Sequence, residues 1–217
     1  MKFGESLLLS STTRGTQSEG ANFGAYSSSL NAPYYKIYDA NDPIGYNPTS
    51  NATRGEGATA TNFLWATDRK FNDTRVLTRK VLGSVYGELE IIKDLKYKIT
   101  LGADYNVGDG YFFQEESNID YGGGIRRSLL VQERPIELTT TVANTLTFHK
   151  EFRKHDITIL GGEEETSFRY DKIRLQGGTL FNSNIRFASV ATTVAGANEA
   201  DQWAIRGYLG RVILHAA

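Results

Sequence analysis

Residues 79–106 read RKVLGSVYGELEIIKDLKYKITLGADYN, and the alternation inside them decides the fold. In the first half Val81, Gly83, Val85, Gly87, Leu89 and Ile91 fall on one side of an extended chain. Lys80, Ser84, Tyr86, Glu88 and Glu90 fall on the other. After residues 93–96 the pattern resumes, with Tyr97, Ile99, Leu101, Ala103 and Tyr105 opposite Lys98, Thr100, Gly102, Asp104 and Asn106. Side chains alternate across a strand with period two, so each strand has one apolar wall and one wet wall. Both runs are long. Strands of soluble proteins average roughly 5–6 residues, whereas a membrane-spanning strand needs about 9–11. Long, alternating and joined by a minimal turn, this is the pattern of a transmembrane-barrel hairpin. It predicts that Val81, Val85, Leu89, Ile99, Leu101 and Ala103 face lipid.

Outward from the hairpin, four more strands are expected, near residues 2–11, 137–152, 156–170 and 203–214. In the 137–152 run Leu138, Thr140, Val142, Leu146 and Phe148 share a side, interrupted by Asn144. The expected connections alternate strictly. Residues 93–96 and 153–155 are short, while 12–74, 109–136 and 171–202 are long. Transmembrane barrels have this asymmetry, with short periplasmic turns and long extracellular loops. A soluble sandwich has turn signals every 8–12 residues instead. The fold class is therefore all-β, an antiparallel up-and-down transmembrane barrel segment of about six long strands. Six strands fall short of the roughly eight in the smallest such barrels, and an open sheet in lipid strands polar backbone at both edges. An incomplete barrel spanning residues 1–217 is the expected domain.

Composition narrows the function classes. The net charge of -1 argues against a nucleic-acid binder, which would show a basic stripe. There is no cysteine, so neither a disulfide frame nor a thiolate metal site is available. Mean hydropathy is -0.38, as expected when only every second residue of a strand meets lipid. The start, Met1-Lys2-Phe3-Gly4-Glu5-Ser6, does not read as a signal peptide, and Leu7-Leu8-Leu9 is too short for its apolar core.

With the strands in order, the chain resembles the middle of the barrel of SusC/RagA-type TonB-linked outer-membrane transporters. The match is carried by Lys2-Phe3-Gly4-Glu5-Ser6-Leu7 and by Pro33-Tyr34-Tyr35-Lys36-Ile37-Tyr38-Asp39, in which Lys36 replaces the usual second proline. It continues in the hairpin through Leu82-Gly83-Ser84-Val85-Tyr86-Gly87-Glu88-Leu89-Glu90 and in His155-Asp156-Ile157-Thr158-Ile159-Leu160-Gly161-Gly162-Glu163. It ends in Tyr208-Leu209-Gly210-Arg211-Val212. The resemblance implies a Gram-negative outer membrane and import of oligosaccharides, peptides or other large nutrients. It also implies a SusD-like surface lipoprotein as partner, and TonB acting through a plug domain that lies outside this sequence, as do the C-terminal strands. Lipid and the substrate complete the expected partners, with no nucleic acid and no cofactor. The alternative is a secreted or surface β-rich binding module that never enters a membrane.

No catalytic constellation is present, so no enzyme is expected. Glu163-Glu164-Glu165 alternates between faces and reads as a solvated lumen or strand-end feature. His149, His155 and His215 lack ligand spacing, so no metal site is expected. Tyr34, Tyr35, Tyr38, Trp65 and Tyr111 fall in the expected extracellular segments and are the substrate-contact candidates. The commoner use of such aromatics is as anchors that fold the loops or pack on a partner. Arg211 is mid-strand. On the lipid face it would cost roughly 2–4 kcal/mol at the bilayer midplane, which assigns it to the lumen.

Overall fold

The structure, a computed structural model, describes residues 1–15, 36–41, 45–47, 63–116, 127–153, 155–182 and 184–216. It is a single antiparallel sheet of six strands in sequence order: β1 (Lys2–Gly15), β2 (Asn72–Ile92), β3 (Leu95–Gln114), β4 (Leu129–Phe152), β5 (His155–Leu180) and β6 (Ala191–Ala216). β1 and β6 each pair on one side only, so the sheet is open. A short helix α1 (Phe63–Thr67) precedes β2, and a 3-10 turn (Ala188–Val190) precedes β6.

Two of the hairpin turns are tight, as the sequence predicts. Residues 93–94 join β2 to β3, and residues 153–154 join β4 to β5. Asp94 (φ 71°) and Arg153 (φ 52°) take the left-handed conformation that closes them. Asp adopts it readily, because its short side chain can hydrogen-bond locally. The long connections lie at the other end, but they are shorter than expected. The sequence predicts a loop over residues 171–202, yet β5 and β6 continue until only residues 181–190 lie between them. β3 and β4 likewise run on to Gln114 and back to Leu129. In these extensions burial follows packing beneath the connections, as at Phe113, Leu130 and Leu180, so their residues need not alternate in polarity.

Register carries each face across the sheet, because residues opposite one another in an antiparallel pair share a side. Val85 pairs with Leu101, Leu101 with Val142, and Val81 with Tyr105. The same face continues through Ile159 and Gly161 of β5 to Val212 and Gly210 of β6. The opposite face carries Ser84, Tyr86, Glu88, Thr100, Thr141 and Thr166. Tyr86 packs across Gly4 of β1, where a β-carbon would collide with its ring, and Lys98 sits 4.6 Å from that ring. The apolar face is the more exposed of the two in β2 and β3: Val81, Val85, Leu89, Leu101, Ala103 and Tyr105 are exposed, and Lys80, Ser84, Tyr86, Glu88, Thr100 and Asp104 half-buried.

β4 runs to Phe152, four residues past the pairing of Leu95 with Phe148. The second tight turn is thus displaced along the strands relative to the first. Such stagger is what a sheet needs in order to close with tilted strands.

Candidate functional site

The sheet's chemistry changes along its length. Near the tight turns the apolar face of β5 reads Ile157, Ile159 and Gly161, and that of β6 reads Leu214, Val212, Gly210 and Tyr208. Glu163, Glu165 and Arg206 then follow on the same face. Glu163 lies eight residues beyond His155. At a tilt of about 40° that is roughly 20 Å, close to the height of a lipid-facing band of about 25 Å. Arg206 donates from Nε to Glu165 Oε2 at 2.8 Å and from Nη2 to the same oxygen. Glu163 and Glu165 therefore mark the end of the apolar band rather than the polar wall, and Glu164 stands on the other side.

A second ionic group ends the band on β2–β4. Asp109 accepts from Arg79 Nη1 at 2.8 Å and from Arg134 Nε at 3.0 Å, bridging three strands. Arg169 and Asp171 pair at 2.7 Å within β5. A depression of about 480 Å³ lies between β4, β5 and β6 where Thr140, Ser167 and Ala204 supply only small side chains beside Leu138, Arg169 and Gln202.

Above these charges the strand ends are braced by the connections. Arg186, from the β5–β6 connection, lies 3.8 Å over the ring of Phe113 and donates from Nη2 to the Lys70 carbonyl at 2.8 Å. Its Nη1 is 3.8 Å from Asp73. Phe113, Leu130, Leu180 and Ala188 form a small buried cluster beneath it. The first long connection contributes an aromatic knot. Tyr38 bridges Tyr46 with ring centroids 5.4 Å apart, and Tyr46 meets Phe71 edge-on at 6.0 Å. The Tyr46 hydroxyl donates to Asp68 at 2.9 Å. Burial, together with that carboxylate, pushes its pKa up to about 12.

The candidate contact residues divide. Tyr34 and Tyr35 lie outside the described residues. Tyr38 is 62% exposed. Trp65 is 1% exposed and sits inside the loop base, with Asn72 Nδ2 donating to its carbonyl at 3.1 Å. Tyr111 is half-buried with Arg75 stacked 4.7 Å from its ring. The structure thus brings Tyr38 to the surface and uses Trp65 for packing. Val81, Val85, Leu89, Ile99, Leu101 and Ala103 share one face, and Arg211, paired with Leu160, stands on the other.

Sequence reasoning passed over a third aromatic feature. Phe168 of β5 and Trp203 of β6 are directly paired on the polar face, and their rings stack at 5.4 Å and 21°. Its only signal was Trp203 at the expected start of a strand whose partner residue could not be known without the register.

Among the described residues no group of His, Cys, Asp and Glu is placed to hold a metal ion, and no helix is long and apolar enough to cross a membrane. No protein-family model matches the sequence, and no curated protein is significantly similar to it. Solved structures do match. A chain of the RagAB peptide transporter superposes with a TM-score of 0.67 at 15% identity over 84% of this chain. Chains of the RagAB peptide importer in its open-open and closed-closed states give 0.73 and 0.71, at 17% and 15% identity, over 99% of this chain. The chain spans 20% to 24% of the length of those chains. At such identities the likeness shows the fold. It is the fold of a segment of those transporter chains, in agreement with the SusC/RagA-type resemblance of the sequence.

Proposed function

We propose that this chain forms part of the wall and extracellular loops of a TonB-dependent transporter in a Gram-negative outer membrane. One observation carries the reading: the apolar face is left bare. Leu7, Leu9, Val81, Leu89, Tyr208, Val212 and Leu214 are 69%, 68%, 41%, 50%, 76%, 67% and 66% exposed. A contiguous apolar surface of this extent has no place in water, while lipid solvates it at no cost. In this reading Val81, Val85, Leu89, Ile99, Leu101 and Ala103 meet lipid, and Arg211 stands in the lumen. The short turns sit at the periplasmic rim, and the long connections form the outer mouth.

The cargo is a large nutrient, an oligosaccharide or a peptide, and the structural neighbours being named peptide transporters favours the peptide. A SusD-like lipoprotein covers the mouth, and TonB acts through a plug domain carried elsewhere in the longer protein. The chain contributes no catalysis. The second reading is a secreted β-rich binding module whose apolar face is covered by protein.

Lipid contact separates the two. A fluorophore on Val85→Cys, in the protein purified from membranes and returned to bilayers, is quenched by nitroxide-labelled lipid tails. The same probe on Thr100→Cys is quenched only by a water-soluble agent. Equal responses at the two positions would overturn the transporter reading. Uptake of labelled peptide by cells, abolished by deleting the gene and by a protonophore, tests the import role.

A further inference from the structure

The stacked pair Phe168–Trp203 lies on the polar face among threonines. Thr139 flanks Phe168 in register, and Thr141, Thr166 and Ile205 occupy the next row. Trp203, on the open edge strand β6, is 43% exposed. Core packing does not account for two rings held face to face on a wet wall. Phe168 lies thirteen residues beyond His155, roughly 33 Å along the tilted wall. That is above the row of Glu163, where the apolar band of the opposite side ends, and so toward the long connections.

One row further, about 7 Å on, register aligns Glu137, Tyr170 and Asp201. The cations around them are already engaged. Lys80 holds Asp104 at 2.7 Å, Lys172 holds Glu199 at 2.9 Å, and Arg174 lies 3.3 Å from Glu133. Glu137 and Asp201 have no ion pair among the described residues. The wall thus offers an indole with Asp201 two residues along the same strand and Glu137 two strands across in Asp201's row, neither carboxylate ion-paired among the described residues.

We infer that Phe168, Trp203, Glu137 and Asp201 form a subsite near the mouth of the lumen for the Lys or Arg side chains of an imported peptide. This rests on the lumenal reading of the polar face. A cation is drawn to the indole face by the ring quadrupole, most strongly for Trp, and a guanidinium can lie flat on it while reaching a carboxylate. Charge selects the occupant. A neutral sugar ring could stack on Trp203, but it would gain nothing from the net negative charge, and an acidic peptide would be repelled.

The test uses the full-length protein purified in detergent, with three ligands: a nonapeptide bearing three Arg, the same peptide with Gln in their place, and a neutral oligosaccharide of similar mass. Trp203→Ala weakens the Arg peptide roughly fivefold to tenfold and the Gln peptide less than about twofold. Glu137→Gln with Asp201→Asn, isosteric and kind to the fold, removes the preference for the Arg peptide and most of its salt dependence. Equal loss for all ligands, or loss confined to the oligosaccharide, would overturn the subsite. Thr141→Cys separates this inference from the reading beneath it. If a water-soluble maleimide labels it while binding ignores both charge and Trp203, the subsite alone fails. If lipid shields it from the reagent, the polar face is not lumenal, and both fail.

Discussion

Asn144 interrupts the apolar side of β4, and an amide exposed to hydrocarbon with no partner costs several kcal/mol. The structure answers with Tyr97, whose hydroxyl donates to Asn144 Oδ1 at 2.6 Å across the β3–β4 pair. The two residues are not opposite one another. Tyr97 pairs with Leu146 and Asn144 with Ile99, so the ring reaches diagonally. Diagonal neighbours on one face lie within reach of aromatic side chains. Tyr97→Phe keeps the ring and removes the donor. It is expected to lower the stability of the assembled protein by about 1–3 kcal/mol. Asn144→Val in the same background restores most of it, because the orphaned amide is gone. The measurement is urea unfolding in lipid vesicles. An unchanged Tyr97→Phe variant would mean that the amide finds water, and hence that this face does not lie against lipid. The sequence exposed Asn144 as an anomaly, but its partner depends on register, which alternation alone leaves open.

At the scale of the strand, alternation identified the stretches with one apolar face and little else. The hairpin of residues 79–106 was legible because every second residue had to be apolar, and the turn at Lys93 and Asp94 was legible by its brevity. The ends of β5 and β6 were not. Lys172, Arg174, Glu199 and Asp201 read as loop, yet they form ladders held by pairs such as Lys172–Glu199 at 2.9 Å. There the backbone ladder and ion pairs stabilise strands whose side chains obey no apolar period. The stagger of the β4–β5 turn was equally hidden, and with it the reason that Glu163 and Glu165 stand on the apolar side. Face assignment can be tested by charge. Val85→Arg places a guanidinium within the apolar band and is expected to cost about 2–4 kcal/mol in lipid, whereas Thr100→Arg, on the neighbouring strand but the opposite face, costs less than about 1 kcal/mol. Equal costs at the two sites would show that the sheet is not sided in the way its register implies.

At the scale of the molecule, the sheet has two unfinished boundaries. The outer edges of β1, 14 residues, and β6, 26 residues, carry backbone donors and acceptors with no neighbouring strand. In water such edges invite pairing with other copies. In lipid each unsatisfied group costs several kcal/mol, which only further strands can offset. Burial is also sparse. Among the described residues the fully buried large side chains are Trp65, Phe113 and Leu130, all near the loop-bearing end, while Ile205 and Leu214 of β6 are 65% and 66% exposed. With so little apolar area removed from water, the roughly 1–2 kcal/mol of backbone entropy per residue has nothing adequate to oppose it. The isolated chain is therefore expected to aggregate or remain loosely ordered in buffer, with no sharp thermal transition. Circular dichroism with analytical ultracentrifugation reads both properties at once. In micelles the strand signal should rise, since detergent covers the apolar face, while the edges still favour oligomers over monomers. A monomer that melts cooperatively in plain buffer would mean that the exposed face is covered by residues of the chain itself, and the barrel-wall reading would have to give way to the binding module.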